Sequence, residues 1–188
     1  CNSDGKVTVS KDEQPLKANV EKIRRLRPAF SKDGTVTAAN SSSISDGAAA
    51  LVMMRLSEAE KRGHKPLVII KGHSTHSQAP ELFTTAPINA IKKLLERVQW
   101  SKGEVDLFEI NEAFAVVTMA AMRDLDIPHD IVNVHGGACA LGHPVGASGA
   151  RIIVTLIATL EKYNLRKGVA SLCIGGGEAT ASAIERVA

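Results

Sequence analysis

Aromatic side chains make up only 3% of the 188 residues. The core must therefore be aliphatic and alanine-rich, which suits helices packed closely on a sheet. The same scarcity removes the stacking platforms that a single-stranded nucleic-acid binder uses. Charge of one sign is in short supply as well: 23 Lys and Arg against 20 Asp and Glu give a net charge of +3, too little to imply a polyanionic partner. No apolar run approaches the roughly 20 residues of a membrane span, and no signal peptide is visible. The composition thus points away from nucleic acid and membrane as partners. Cysteine is sparse, with Cys1, Cys139 and Cys173 forming an odd count without framework spacing. A reducing compartment follows, with the cytoplasm as the default and a mitochondrial location left open. The chain begins with Cys1, not Met, in a polar segment without a helix start, which reads as a fragment or a processed product.

What is present is ordinary for a globular protein: 44% apolar and 23% charged residues, in a length sufficient for one domain, or one domain and part of another. The run Lys6 to Ser10 alternates like an edge strand or an extended arm. Leu16, Val20, Ile23 and Leu26 lie among basic residues up to Pro28, as on a solvated helix face. Ser45 is a plausible N-cap for a helix running through Leu51 and Leu56 to Gly63. Leu67–Ile70 reads as a strand, Pro87 opens a helix that Trp100 closes, and Val105–Ile110 is a strand followed by a helix over 113–124. Ile131–Val134 is expected as a strand, 147–163 as a long helix, and Val169–Ile174 and 178–187 as the last strands. Strands alternating with helices give an α/β class, with helices on both faces of a buried central sheet.

Three loops at strand ends carry chemistry. One is Asn111-Glu-Ala-Phe-Ala115. The second is Asn133–Gly149, NVHGGACALGHPVGASG, with five glycines, two histidines and a cysteine in seventeen residues. Glycine this dense marks backbone that approaches something closely or takes positive φ. The third is Cys173-Ile-Gly-Gly-Gly177. Singly, each has a bland explanation. Asn111 reads as an N-cap, His143 as a loop histidine, Cys173 as an inert core thiol, and the glycine triplet as a turn. Together they offer an imidazole that can polarise or protonate an oxygen, a thiol that can move a proton, and backbone N–H groups that can hold an oxyanion. Zinc is disfavoured, because Cys139 and His143 lack the paired short spacing of structural sites. A Walker loop is excluded by the absence of Lys-Ser or Lys-Thr after Gly149.

Asn111–Ala115, Gly142-His143-Pro144 within GGACALGHPVGASGARI, and Leu172–Gly177 resemble the three C-terminal signature blocks of the thiolases. The separations fit, with thirty-two residues from Asn111 to His143 and thirty more to Cys173. Leu26–Phe30, Gly34–Ala38 and Asp46–Ala50 resemble the same family, so the likeness spans nearly the whole chain. It implies a layered α/β/α sandwich, with 1–45 a remnant of the CoA-binding loop domain and 46–188 the C-terminal domain.

The resemblance also implies the activity of an acyltransferase: joining two acetyl-CoA, or cleaving acetoacetyl-CoA with CoA. No cofactor is needed beyond the CoA thioester substrates. His143 would serve as base to the nucleophilic cysteine and donate into an oxyanion hole. Asn111 would hold a water completing that hole, Cys173 would act as the acid or base at the α-carbon, and the Gly175 N–H would help form a second hole. Ser42, Ala38, Phe30, Ala113 and Phe114 would line the CoA path. His135 and Cys139 would support or pack.

The departure is large. Thiolases are about twice this length, and none of the three cysteines stands in the C-x-S-G-like block of the acyl-accepting cysteine. The chain therefore resembles a C-terminal half, with an N-terminal half and further copies (a dimer or tetramer) as expected partners. Such a half would expose an apolar helical face. A longer-chain 3-ketoacyl-CoA thiolase of fatty-acid degradation and a non-catalytic CoA- or lipid-binding module stay open as alternatives.

Overall fold

A computed structural model describes Gly5 and residues 8–187; Cys1 and part of the expected arm over Lys6 to Ser10 lie outside the described residues. In chain order the elements are α1 (Gln14–Lys17), α2 (Val20–Ile23), α3 (Leu56–Lys61), β1 (Val68–Ser77), α4 (Ala86–Val98), β2 (Leu107–Ile110), α5 (Ala115–Leu125), α6 (Ala138–Leu141), α7 (Ser148–Lys162), β3 (Lys167–Ile174) and β4 (Glu178–Arg186), with short 3-10 turns between them. The four strands form one sheet in the order β1-β4-β3-β2. Of the described strands β2 and β3 pair in parallel, and β4 is antiparallel to both its neighbours.

Strand alternation sends successive side chains to opposite faces, and two cores result. On one face Val169 and Cys173 of β3 and Ala179, Ala181 and Ala183 of β4 pack with Ile88, Ile91 and Leu94 of α4 and Val117 and Ala121 of α5. On the other, Leu107, Ala170 and Ile184 meet Ile152, Leu156 and Leu160 of α7. The apolar residues of α7 recur every four positions and those of α4 every three, so each helix buries one stripe. Pro87 sits in the first turn of α4, where its missing N–H costs nothing, and left-handed Gln99 closes that helix. The result is the expected α/β/α sandwich.

Three expectations fail locally. The helix foreseen from Ser45 to Gly63 shrinks to α3. Ser45 caps no helix, because its hydroxyl donates to the carbonyl of Ser43 at 3.1 Å; residues 46–55 have no regular structure. The strand expected over Ile131–Val134 is a single parallel bridge from Val132 to Phe108. Asn133 takes a left-handed φ of 47° and ends any extended run. Finally, β1 is longer than foreseen and is a half-exposed edge strand, so the sheet is not buried throughout.

Candidate active site

The parallel pair β2 and β3 sets the site. Ile110 stands opposite Ser171, and the Asn111 N–H donates to the Ser171 carbonyl at 2.9 Å. Asn111 therefore leaves the carboxyl end of its strand level with Leu172, one residue before Cys173 on the neighbouring strand. Ligand sites in α/β sheets gather at such ends. Gly175 follows in the exposed turn, where an added Cβ would meet nothing within 4 Å, so its backbone is open to a ligand. His143 arrives from a separate loop. Its N–H donates to the Ser43 carbonyl at 2.8 Å, and its ring Nε2 lies 3.4 Å from Asn111 Nδ2.

Two neighbours fix the chemistry of that contact. The Ser148 hydroxyl, buried at the start of α7, donates to the Pro144 carbonyl at 3.1 Å and lies 2.6 Å from His143 Nδ1. With its single hydrogen committed to Pro144, Ser148 accepts from Nδ1–H. In the neutral ring the Nε2 lone pair then faces Asn111. Arg151, one turn later, donates through Nη2 to Asn111 Oδ1 at 3.4 Å, and its Nη1 stands 3.7 Å from a carboxylate oxygen of Glu109. A guanidinium on the amide oxygen leaves the amide nitrogen to point at the imidazole.

Asn111 is 1% exposed and is not an N-cap; α5 starts at Ala115 with Phe114 in the cap position. Burial, with the Arg151 charge behind it, lowers the pKa of His143. Burial pushes the Cys173 thiol up to about 11, so at neutral pH it carries its proton. Burial likewise lifts Glu109 to about 7, against the pull of Arg151, while the Glu112 charge adds to the rise.

Four of the five residues expected on the CoA path come together. Ser42 donates to the Ala113 carbonyl from its N–H at 3.1 Å and its hydroxyl at 2.9 Å. Ser41 bridges Phe114, and the Phe30 ring meets the Phe114 ring edge-on at 5.5 Å. Phe30 is 73% exposed, so it is no core residue. Ala38 is exposed and opens the 3-10 turn just before Ser41. Of the supporting pair, His135 is exposed and stacks on Tyr163, while Cys139 is bound to Glu112. Among the described residues no three of His, Cys, Asp and Glu converge as a metal site.

Ser148, Arg151 and Glu109 were not foreseen. One signal existed: Glu109 is a lone charge inside the apolar strand Leu107–Ile110, and a buried charge requires a partner.

The chain matches the family described as "Thiolase, C-terminal domain" over residues 64–186 and "Thiolase, N-terminal domain" over residues 1–57. It belongs to the thiolase family. A probable acetyl-CoA acetyltransferase of Dictyostelium discoideum is 51% identical over 184 residues, 97% of this chain and 44% of that protein. Among solved structures, the Bacillus anthracis acetyl-CoA acetyltransferase superposes with a TM-score of 0.90 at 47% identity, over 96% of this chain and 46% of that one. Human mitochondrial 3-ketoacyl-CoA thiolase in complex with CoA gives 0.83 at 37%, over 92% and 44%. The chain thus spans a little under half the length of these relatives.

Proposed function

We propose that this chain is the C-terminal part of a short-chain thiolase, an acyltransferase that condenses two acetyl-CoA into acetoacetyl-CoA and, in reverse, cleaves acetoacetyl-CoA with CoA. The observation that carries the proposal is the contact between Asn111 and His143, with Nδ1 tied to Ser148 and the Nε2 lone pair turned to the amide. A base whose lone pair is fixed in direction can take the proton of a thiol, and the resulting imidazolium can donate to a thioester oxygen. Asn111, through its N–H or a water on it, supplies the second donor.

The acyl-accepting cysteine comes, in this reading, from an N-terminal half. In thiolysis that thiolate attacks the ketone carbonyl of acetoacetyl-CoA, and the tetrahedral intermediate collapses to an acyl-enzyme by breaking the bond to the α-carbon. The acetyl-CoA enolate that leaves takes its proton from Cys173, whose buried thiol holds one at neutral pH. The Gly175 N–H helps hold the acyl-enzyme oxygen until CoA attacks it. Coenzyme A thioesters are substrates, with no cofactor. Ser42, Ala38, Phe30, Ala113 and Phe114 form its approach, the extent of the loop domain being 1–45.

A cleft of about 940 Å³ between residues 50–56, β1 and α7, lined by Leu51, Met53, Ile70 and Val154 among others, supports docking of the N-terminal half. Self-assembly into a dimer or tetramer is proposed for the whole protein. The cytoplasm is the proposed compartment, supported by the free thiols of Cys139 and Cys173. No helix among the described residues is long and apolar enough to cross a membrane. The likeness to a 3-ketoacyl-CoA thiolase favours one other reading, a longer-chain substrate.

The test is acetoacetyl-CoA thiolysis by the complete enzyme alongside 3-ketoacyl-CoA of increasing length. Acetoacetyl-CoA is expected to have the highest kcat/KM, with losses of about 100-fold or more for His143→Ala and Cys173→Ala. Preference for long chains would replace the short-chain assignment. Full activity of both variants would end the proposed roles.

A further inference from the structure

Glu112 directly follows Asn111, and no role in the chemistry above falls to it. Its carboxylate reaches into the glycine-rich loop. One oxygen accepts from Asn133 Nδ2 at 3.1 Å, and the other from the backbone N–H of Cys139 at 3.0 Å. Its backbone carbonyl lies 3.8 Å from the Cys139 sulfur. A Cβ added at Gly137 would lie 2.5 and 2.6 Å from the two carboxylate oxygens, so that glycine is where the loop closes on the acid. Gly137 and Ala138 are both buried. Two residues beyond α6 stands His143.

Neither donor can be turned round. The Cys139 N–H is backbone. The Asn133 amide is locked by β2: its Oδ1 accepts from Ile110 N–H at 2.8 Å and its Nδ2 donates to the Ile110 carbonyl at 2.8 Å. The side chain of Asn133 thereby pairs with the edge strand as a neighbouring strand would, and its remaining N–H must be the one that meets Glu112. The site needs two acceptors at a fixed separation. A carboxylate has them, while an amide has one and turns a donor on a donor.

We infer that Glu112 is a positioning residue for the candidate active site: its carboxylate clamps the loop 133–142 to the end of β2, and so sets His143 against Asn111. This carboxylate ties together the two signature blocks that supply the imidazole and the amide, in addition to the direct Asn111–His143 contact. The clamp rests on the thiolase reading only for its consequence in turnover; its geometry stands apart from it.

The discriminating substitution is Glu112→Gln, which keeps volume and shape and removes one acceptor. Two readouts separate the clamp from the functional reading. Hydrogen exchange over residues 133–143 is followed in this chain, with exchange over α4 as the internal reference for global stability. Exchange of the loop is expected to rise about tenfold or more in Glu112→Gln while α4 is unchanged. In the complete enzyme, kcat for thiolysis is expected to fall about 10- to 100-fold, the cost of displacing a catalytic group by the order of an ångström, with KM for CoA within about threefold. Glu112→Asp, which keeps both acceptors on a shorter arm, is expected to recover part of both. Wild-type loop exchange in Glu112→Gln overturns the clamp, whatever the enzyme does. Faster loop exchange with wild-type kcat overturns the positioning of His143. A wild-type complete enzyme without thiolase activity overturns the proposed function and leaves the clamp to be judged by exchange alone.

Discussion

At the scale of single residues, the buried groups around Asn111 make predictions of definite sign. Glu109 is 3% exposed with its carboxyl lifted to about 7, first by burial. A group with a raised folded-state pKa binds more protons folded than unfolded. Its contribution is complete below the ordinary value of 4.5 and is lost as pH rises through about 7. His143 moves the other way, since burial lowers its pKa, and the unfolded chain takes its proton first on acidification. The difference between wild type and Glu109→Gln isolates the first effect. In urea unfolding, the wild type is expected to lose roughly 1–3 kcal/mol relative to the variant between about pH 4.5 and 8; a difference independent of pH would show that Glu109 is ionised throughout. Ser148 makes a second prediction. Ser148→Ala removes the partner of Nδ1 while leaving a small helix residue in α7, so the ring loses its fixed tautomer. In the complete enzyme kcat is expected to drop about tenfold with KM for CoA unchanged, and nitrogen chemical shifts of His143 should report a mixed tautomer.

At the scale of elements, what could be read from the sequence divides by the kind of signal. The helices α4 and α7 were legible because their apolar residues repeat at helical spacing between clear stops. β3 and β4 were legible as apolar or alternating runs around three glycines. The segment 45–55 was not. Ala48, Leu51, Val52 and Leu56 have a helix-like spacing, yet Ser43 takes the hydroxyl that would have capped a helix, and Gly47 packs so tightly on Pro144 that a Cβ there would lie 2.7 Å from its ring. Periodicity carries no record of such contacts. In the site, the three blocks and their order were visible, while Ser148, Arg151 and Glu109 were not, since spacing does not say which side chains of a helix turn toward an imidazole. The glycine loop is where both kinds of information meet. Gly142 has φ of 86°, and a Cβ on it would lie 2.8 Å from Ser45 Cβ and closer still to its hydroxyl. Gly142→Ala is therefore expected to cost roughly 1–3 kcal/mol in denaturant unfolding. Ser45→Gly in the same background should return only the steric part, leaving the cost of positive φ; full recovery would show that φ is relaxed elsewhere.

At the scale of the whole molecule, the apolar surface decides how the chain behaves. Val52 is 92% exposed and Met53 68%, and both border the cleft that also contains Leu67 and, on the edge strand, Ile70. The exposed apolar surface lies in a groove between an irregular segment, an edge strand and α7, whose Ile153, Val154 and Ile157 line it. A groove of this breadth seeks cover. The chain by itself is expected to self-associate, and native mass analysis showing a clean, stable monomer would contradict that. Mixed with a thiolase N-terminal half it should form a defined complex. The most direct measurement of the central claim is acetoacetyl-CoA thiolysis by the chain alone, by the N-terminal half alone, and by the two together. Thiolysis only in the mixture, abolished by His143→Ala, is the result predicted. Thiolysis by this chain alone would place the nucleophile within it, and a defined complex that cleaves nothing would contradict the assignment of His143 and Cys173 as one side of a thiolase active site.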